Sequence, residues 1–207
     1  MPTHSALISR ADTATPVYLY SKADWADATG LPEDLMAMAH AQDFKGGSGQ
    51  TALTANTEGG VVGVLFGLGD STDALAVAAL SAKLPRGTYQ IAHSGGFTAA
   101  QIANAWADGA YRFDRYLSEK ADPPIRGVGA DSDGEAQIRV AVAVDRLRDL
   151  VNTPAEEMGP PEIQGAISDL AARHGARPAP TISAALLDQK YQMVHAVGRD
   201  GPEAAHS

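Results

Sequence analysis

With 207 residues, 44 % of them hydrophobic and 20 % charged, the chain can bury one sizeable core, or one domain plus part of a second. Its 16 basic residues against 25 acidic ones give a net charge of −9. Without any compensating basic run, that charge argues against nucleic-acid binding. Cysteine is absent, which removes disulfides, thiolate zinc sites and cysteine nucleophiles together. No apolar stretch reaches the ~20 residues of a membrane span, and the N-terminus lacks the basic-then-apolar pattern of a secretory signal. A soluble, cytoplasmic protein with no membrane and no nucleic-acid partner is the expectation.

Residues 17–20 form a short β-prone run, and 31–44 follow with helical spacing, opened by Pro32 in the first turn. Residues 45–50, rich in glycine, read as a flexible loop. Residues 51–55 and 61–67 are candidate strands of a hairpin joined by a five-residue turn. The second run is apolar almost throughout, as suits a central strand covered on both faces. Asp70 or Ser71 is placed to cap a helix running to about Leu84.

Residues 88–93 form another strand, turned by Ser94-Gly95-Gly96. Thr98 and Gln101 make a capping box, and Ile102, Trp106, Ala110, Phe113 and Leu117 then recur on one helical face. Gly109 within that helix costs roughly 0.8–1 kcal/mol against alanine, tolerable where the helix closely approaches the sheet. Residues 119–133, with two prolines and scattered glycines, read as a surface connection. Ser132 with Glu135 forms a second capping box, opening a helix to about Val151 with Val140, Val144, Leu147 and Val151 as its stripe. A further helix follows Pro160-Pro161 to about His174, then a strand over 178–183, a short helix over 184–189 and a last strand over 193–197. Alternating strands and helices predict an α/β fold with a mixed or mainly parallel sheet and flanking helices.

No motif supplies a catalytic centre. Gly67-x-Gly69 lies between a strand and a helix, but Thr72 stands where a dinucleotide fingerprint needs its third glycine. Residues 46–51 resemble a phosphate loop in composition only, because the lysine that would reach the phosphates is missing. Ser94 sits at a strand–turn–helix junction with Gly96 after it. Alanine fills position 92, though, and the downstream histidines at 174, 195 and 206 show no spacing that singles one out as its base. Residues 131–135 have calcium-loop flavour, yet Ala136 and Val142 occupy the positions that need glycine and glutamate. The six histidines (His4, His40, His93, His174, His195, His206) are scattered, and the adjacent Glu156 and Glu157 diverge on any regular element.

Two segments carry a resemblance. Ala107-Asp108-Gly109-Ala110-Tyr111-Arg112-Phe113-Asp114-Arg115-Tyr116 resembles the helix closing the N-terminal domain of bacterial leucyl aminopeptidases. Asp149-Leu150-Val151-Asn152-Thr153-Pro154-Ala155-Glu156-Glu157-Met158-Gly159-Pro160 is similar to that family's segment at the entrance to its catalytic domain. Met193-Val194-His195-Ala196-Val197-Gly198-Arg199 is a weaker third match, and the three occur in the family's order.

The resemblance implies a metallo-exopeptidase that releases N-terminal residues from peptides, with two divalent metals (manganese or zinc) activating a water, assembled as a cytosolic hexamer. It also implies a division into an accessory domain over 1–118, a linker over 119–133, and a linker helix with the truncated start of the catalytic domain over 134–207. The family's ligand motifs, a glycine-lysine-glycine segment leading to phenylalanine-aspartate-threonine-glycine-glycine and a later asparagine-threonine-aspartate-alanine-glutamate-glycine-arginine segment, do not occur in the sequence. No catalytic, cofactor-binding or metal-binding residue is therefore assigned, no cofactor is expected in this chain, and the chain alone is expected to be inactive. The alternatives are a non-catalytic binding or assembly module derived from the accessory domain, and an unrelated small α/β enzyme using Ser94.

Overall fold

A computed structural model of the chain describes residues 4, 6–9, 13–119, 123, 125–127, 132–182 and 184–198. The chain divides into two compact units, Met1–Arg146 and Leu147–Ser207.

The first unit is built on a six-stranded sheet. Its strands are β1 (Leu7–Ile8), β2 (Thr15–Ser21), β3 (Thr51–Ala55), β4 (Val61–Gly69), β5 (Thr88–His93) and β6 (Ile125–Gly127), in the spatial order β1-β6-β5-β2-β4-β3. Every pairing is parallel except the β3–β4 hairpin. The helices of this unit are α1 (Lys22–Ala26), α2 (Glu33–Ala41), α3 (Ala78–Ser81), α4 (Ala99–Ala110) and the larger part of α5 (Ser132–Asn152).

Alternation along the strands feeds two cores, because successive side chains point to opposite faces. Val17 and Leu19 of β2, with Val64, Phe66 and Leu68 of β4, pack against Leu80 of α3, Ile102 and Trp106 of α4 and Ile138 of α5. Tyr20 and Leu65 turn the other way, onto Leu35 and Ala39 of α2 and onto Phe44. Burial of β4 from Gly63 to Gly69 matches its reading as a central strand.

Several elements differ from the sequence reading. The helix after β4 starts later, at a 3-10 turn Ala74–Val77 leading into α3, and its cap is Asp73, whose Oδ1 accepts from Leu75 N at 2.9 Å. The Thr98–Gln101 box is formed as expected. However, α4 stops at Ala110, because Tyr111 is extended and Arg112 Nη1 donates to the carbonyls of Gly109 (3.0 Å) and Tyr111 (2.8 Å). Phe113 and Leu117 therefore lie beyond the helix whose face their spacing suggests they extend. Residues 125–127, within the stretch that reads as a connection, form strand β6 between β1 and β5. A three-residue strand is too short to show a period. The side chain of Ser132, and hence its capping box with Glu135, lies outside the described residues.

The second unit holds α6 (Pro160–Arg173), α7 (Ala185–Asp188), α8 (Gln192–Gly198) and the end of α5. Thr153 is its only buried residue among those described. The strand expected over 193–197 is helix α8, and residues 178–182 form no strand, while Ser183 lies outside the described residues. A short apolar run fits either state. With no described strand in this unit to receive its N–H and C=O groups, helix is the conformation that satisfies them locally.

Candidate functional site

Strand β2 is flanked by β4 on one side and β5 on the other, so the chain changes direction across the sheet there. Open parallel sheets bind ligands outside the strand carboxyl ends at such a point. Here the place is filled by the chain itself. The loop over 45–50 lies against the end of β4. Gly69 N donates to Gly46 O (2.8 Å), Gly67 N to Gln50 O (2.8 Å) and Gly49 N to Gly67 O (2.9 Å). Gln50 staples the loop from within, accepting at Oε1 from Lys45 N (2.8 Å) and Gly47 N (3.1 Å) and donating from Nε2 to Asp43 O (2.8 Å). The loop whose composition suggests flexibility is thus pinned.

That packing also accounts for both glycine motifs. A Cβ on Gly67 would stand 2.1 Å from Gly47 O, one on Gly46 2.6 Å from Ser21 O, and one on Gly69 2.9 Å from Ser48 Cβ. The Gly67-x-Gly69 pair and the loop over 46–51 are two sides of one contact. The N–H groups of Gly49, Gly67 and Gly69 bond to backbone carbonyls rather than standing free for a phosphate.

Ser94 follows β5 in a turn where its carbonyl accepts from Phe97 N at 3.2 Å. The neighbouring His93 stacks on Tyr20 with ring centroids 4.3 Å apart, its Nδ1 at 2.7 Å from Leu19 O. Among the described residues no histidine reaches the Ser94 hydroxyl, so a nucleophile would have no base there. His40 is exposed on α2, His174 and His195 belong to the second unit, and His206 lies outside the described residues. Of the calcium-like stretch, Asp131 lies outside the described residues, while Asp133 and Glu135 are already in the first turn of α5. Glu156 and Glu157 are exposed in a 3-10 turn. Among the described residues no three His, Asp or Glu side chains converge to hold a metal. The described part of the chain therefore offers no donor set for a metal pair.

Two features escaped sequence reasoning. His4 Nε2 lies 2.7 Å from Asp145 Oδ2 of α5, and its Nδ1 accepts from Ala6 N at 3.0 Å. The histidine side chain is 2 % exposed. Partners 141 residues apart leave no local pattern. Beside Asp145, α4 and α5 leave a cleft of about 200 Å³, lined by Asn104 and Asp108 from α4 and Val140 and Val144 from α5. The second feature is Arg126 of β6, in register with Leu7 and Tyr89 and only 4 % exposed. Among the described residues its Nε and Nη1 have no hydrogen-bond partner, nor does the buried Oε1 of Gln137. Burial pulls the Arg126 guanidinium down to about 10, below its ordinary value.

Residues 19–124 match the family profile described as "M17 aminopeptidase, N-terminal domain". Among curated proteins there is no match. Cytosol aminopeptidase from Coxiella burnetii superposes with a TM-score of 0.72 at 21 % identity, over 87 % of this chain and 40 % of that one. The bottromycin maturation enzyme BotP in complex with Mn gives 0.67 at 24 %, over 91 % and 42 %. A tomato leucine aminopeptidase mutant gives 0.51 at 20 %, over 82 % and 42 %. At such identities the likeness concerns the fold, and the chain spans about two fifths of the length of these structures. Among the described residues no helix is long and apolar enough to cross a membrane. The α/β architecture, its mostly parallel sheet and the match over 19–124 place the chain in the M17 aminopeptidase family, whose N-terminal domain it carries.

Proposed function

We propose that this chain is the front portion of a metal-dependent aminopeptidase that releases N-terminal residues from peptides, and that it is inactive by itself. In this reading residues 1–118 are the accessory domain, 119–133 the connection, and 134–207 the linker helix and opening of the catalytic domain. The reading extends to a hexamer in the cytosol with two divalent metals, manganese or zinc, held by residues that these 207 do not include. The chemistry those metals supply is polarisation of the scissile carbonyl and activation of water. No step is assigned to any side chain here.

The observation that carries the reading, beyond the family match, is the second unit. Helix α6 buries no residue, and Ile163, Ile167 and Leu170 leave an apolar stripe exposed at spacings of four and three. Such a stripe is the core-facing side of a helix whose core is supplied by further structure.

Two measurements test this. The encoding reading frame, followed past Ser207, is expected to enter the glycine-lysine-glycine and aspartate-rich ligand segments; a stop codon directly after Ser207 overturns the reading. The purified 207-residue chain is expected not to release leucine from a chromogenic amide with manganese or zinc. Turnover above ~1 s⁻¹ would refute its inactivity.

A further inference from the structure

We propose that the free edge of β3 pairs with the same strand of a second copy of this chain, antiparallel and about a two-fold axis at Leu53. Strand β3 ends the sheet and has β4 as its one neighbour. In an antiparallel ladder, residues alternate between bonding to the neighbouring strand and pointing their N–H and C=O groups away from it. The hairpin fixes that parity at both ends. Gly67 N donates to Gln50 O (2.8 Å), and Asn56 N donates to Gly60 O (2.9 Å). Ala52 and Thr54, in phase with those two, bond to β4, so Thr51, Leu53 and Ala55 turn their backbone groups outward. Among the described residues no backbone hydrogen bond outside the β3–β4 ladder reaches these three.

An open row of donors and acceptors is a template for another strand, and edges are commonly blunted by lysine, proline, an inserted residue or shortness. The opposite edge, β1, has two residues. Strand β3 reads Thr-Ala-Leu-Thr-Ala, without charge or proline. The register shift near Ala55 skips Val62 of β4, so β3 itself carries no inserted residue. Nothing in its sequence opposes pairing.

Symmetry and charge then choose a second copy as the occupant. The three outward residues are centred on Leu53, so an antiparallel copy sets Leu53 opposite Leu53 and Thr51 opposite Ala55. All outward groups are used, three N–H donors from each copy and about six bonds in all. The same register sets Gly49 opposite Thr57 of the second copy, beside its Glu58. Lys83 Nζ is held at Gly49 O (3.2 Å), and Glu58 is exposed at the hairpin turn. Each copy thus brings Lys83 toward the other's Glu58, twice by symmetry, which offsets the repulsion between two chains of net charge −9. This interface does not rest on the peptidase reading.

The test is sedimentation equilibrium of the 207-residue chain with amide hydrogen exchange followed by NMR. Paired five-residue strands bury less than the ~1,200 Å² of stable complexes, so a monomer–dimer equilibrium with Kd about 100 µM is expected. The amides of Thr51, Leu53 and Ala55 should exchange about threefold more slowly at ~1 mM than at ~50 µM protein. Those of Ala52 and Thr54 should be protected equally at both. Ala55→Pro removes an outward N–H, which an edge strand tolerates, and should weaken the dimer about tenfold or more. Glu58→Lys, in an exposed turn, should weaken it about fivefold, and adding Lys83→Glu should restore it to within about twofold. A chain that stays monomeric at ~1 mM overturns the proposal. So does a dimer that survives Ala55→Pro with those three amides unprotected, because such a dimer forms through another surface, the α6 stripe for one. None of these outcomes bears on peptidase activity.

Discussion

Gly109 of α4 and Ala78 of α3 are in backbone contact: a Cβ on Gly109 would stand 2.0 Å from the Ala78 carbonyl oxygen and 2.3 Å from Ser81 Oγ. The sequence points to a close approach at this glycine, though of the helix to the sheet rather than to a second helix. Gly109→Ala gains ~0.8–1 kcal/mol of helix propensity but must push α3 and α4 apart, and overpacking of this kind costs about 1–3 kcal/mol or more. A net loss of about 1–2 kcal/mol is expected in urea denaturation. A gain in stability would mean that the two helices part easily.

The same reasoning separates two other glycines. Gly67 has an ordinary backbone but no room, since an added Cβ would stand 2.1 Å from Gly47 O, whereas Gly96 has φ +88 and nothing within 4 Å. Gly67→Ala is expected to cost about 2–4 kcal/mol, since it displaces the 45–50 loop and the hydrogen bonds made to β4. Gly96→Ala should cost only the left-handed strain of about 1–2 kcal/mol. Thermal unfolding of both variants checks the order, and a larger loss at Gly96 would contradict it.

Arg126 is a buried charge whose Nε and Nη1 lack partners among the described residues. Burial holds its folded pKa at about 10, well below its ordinary unfolded value. Between those values the unfolded chain binds more protons than the folded one, so this residue makes stability rise with pH across that window. Below pH 10 the burial penalty, on the order of 3 kcal/mol, is fully present. Arg126→Met is expected to raise stability at pH 7 by about 1–3 kcal/mol. It should also flatten the pH dependence above about pH 10 relative to the parent chain. A lower urea midpoint in the variant would show that the guanidinium contributes more than it costs.

What the sequence makes legible is local. The Thr98–Gln101 box, the hairpin over 51–69 and the apolar β4 each carry their signal within a few residues. What it hides depends on distant partners. Strand β6 exists because β1 and β5 flank it, and its three residues have no period. Residues 193–197 suit a strand by pattern, but the segment is helix α8 in a unit whose described residues include no strand. The His4–Asp145 pair joins distant parts of the chain that share no pattern. The glycine motifs are visible, and only the close packing of loop against strand explains why they bind chain and not phosphate.

The exposed stripe of α6 gives the sharpest comparison. Ile163 and Ile167 are 44 % and 53 % exposed, and surface substitutions of this kind usually change stability by no more than about 0.5 kcal/mol. Ile163→Ser with Ile167→Ser should therefore leave the unfolding of the 207-residue chain almost unchanged. In a longer aminopeptidase chain that buries the stripe, each replacement removes a core side chain and should cost about 2–5 kcal/mol. Denaturant midpoints of both proteins, with and without the pair, measure the difference. Equal, small effects in the two would mean that α6 stays uncovered in the longer protein, and the stripe would then need a partner other than the rest of its own chain.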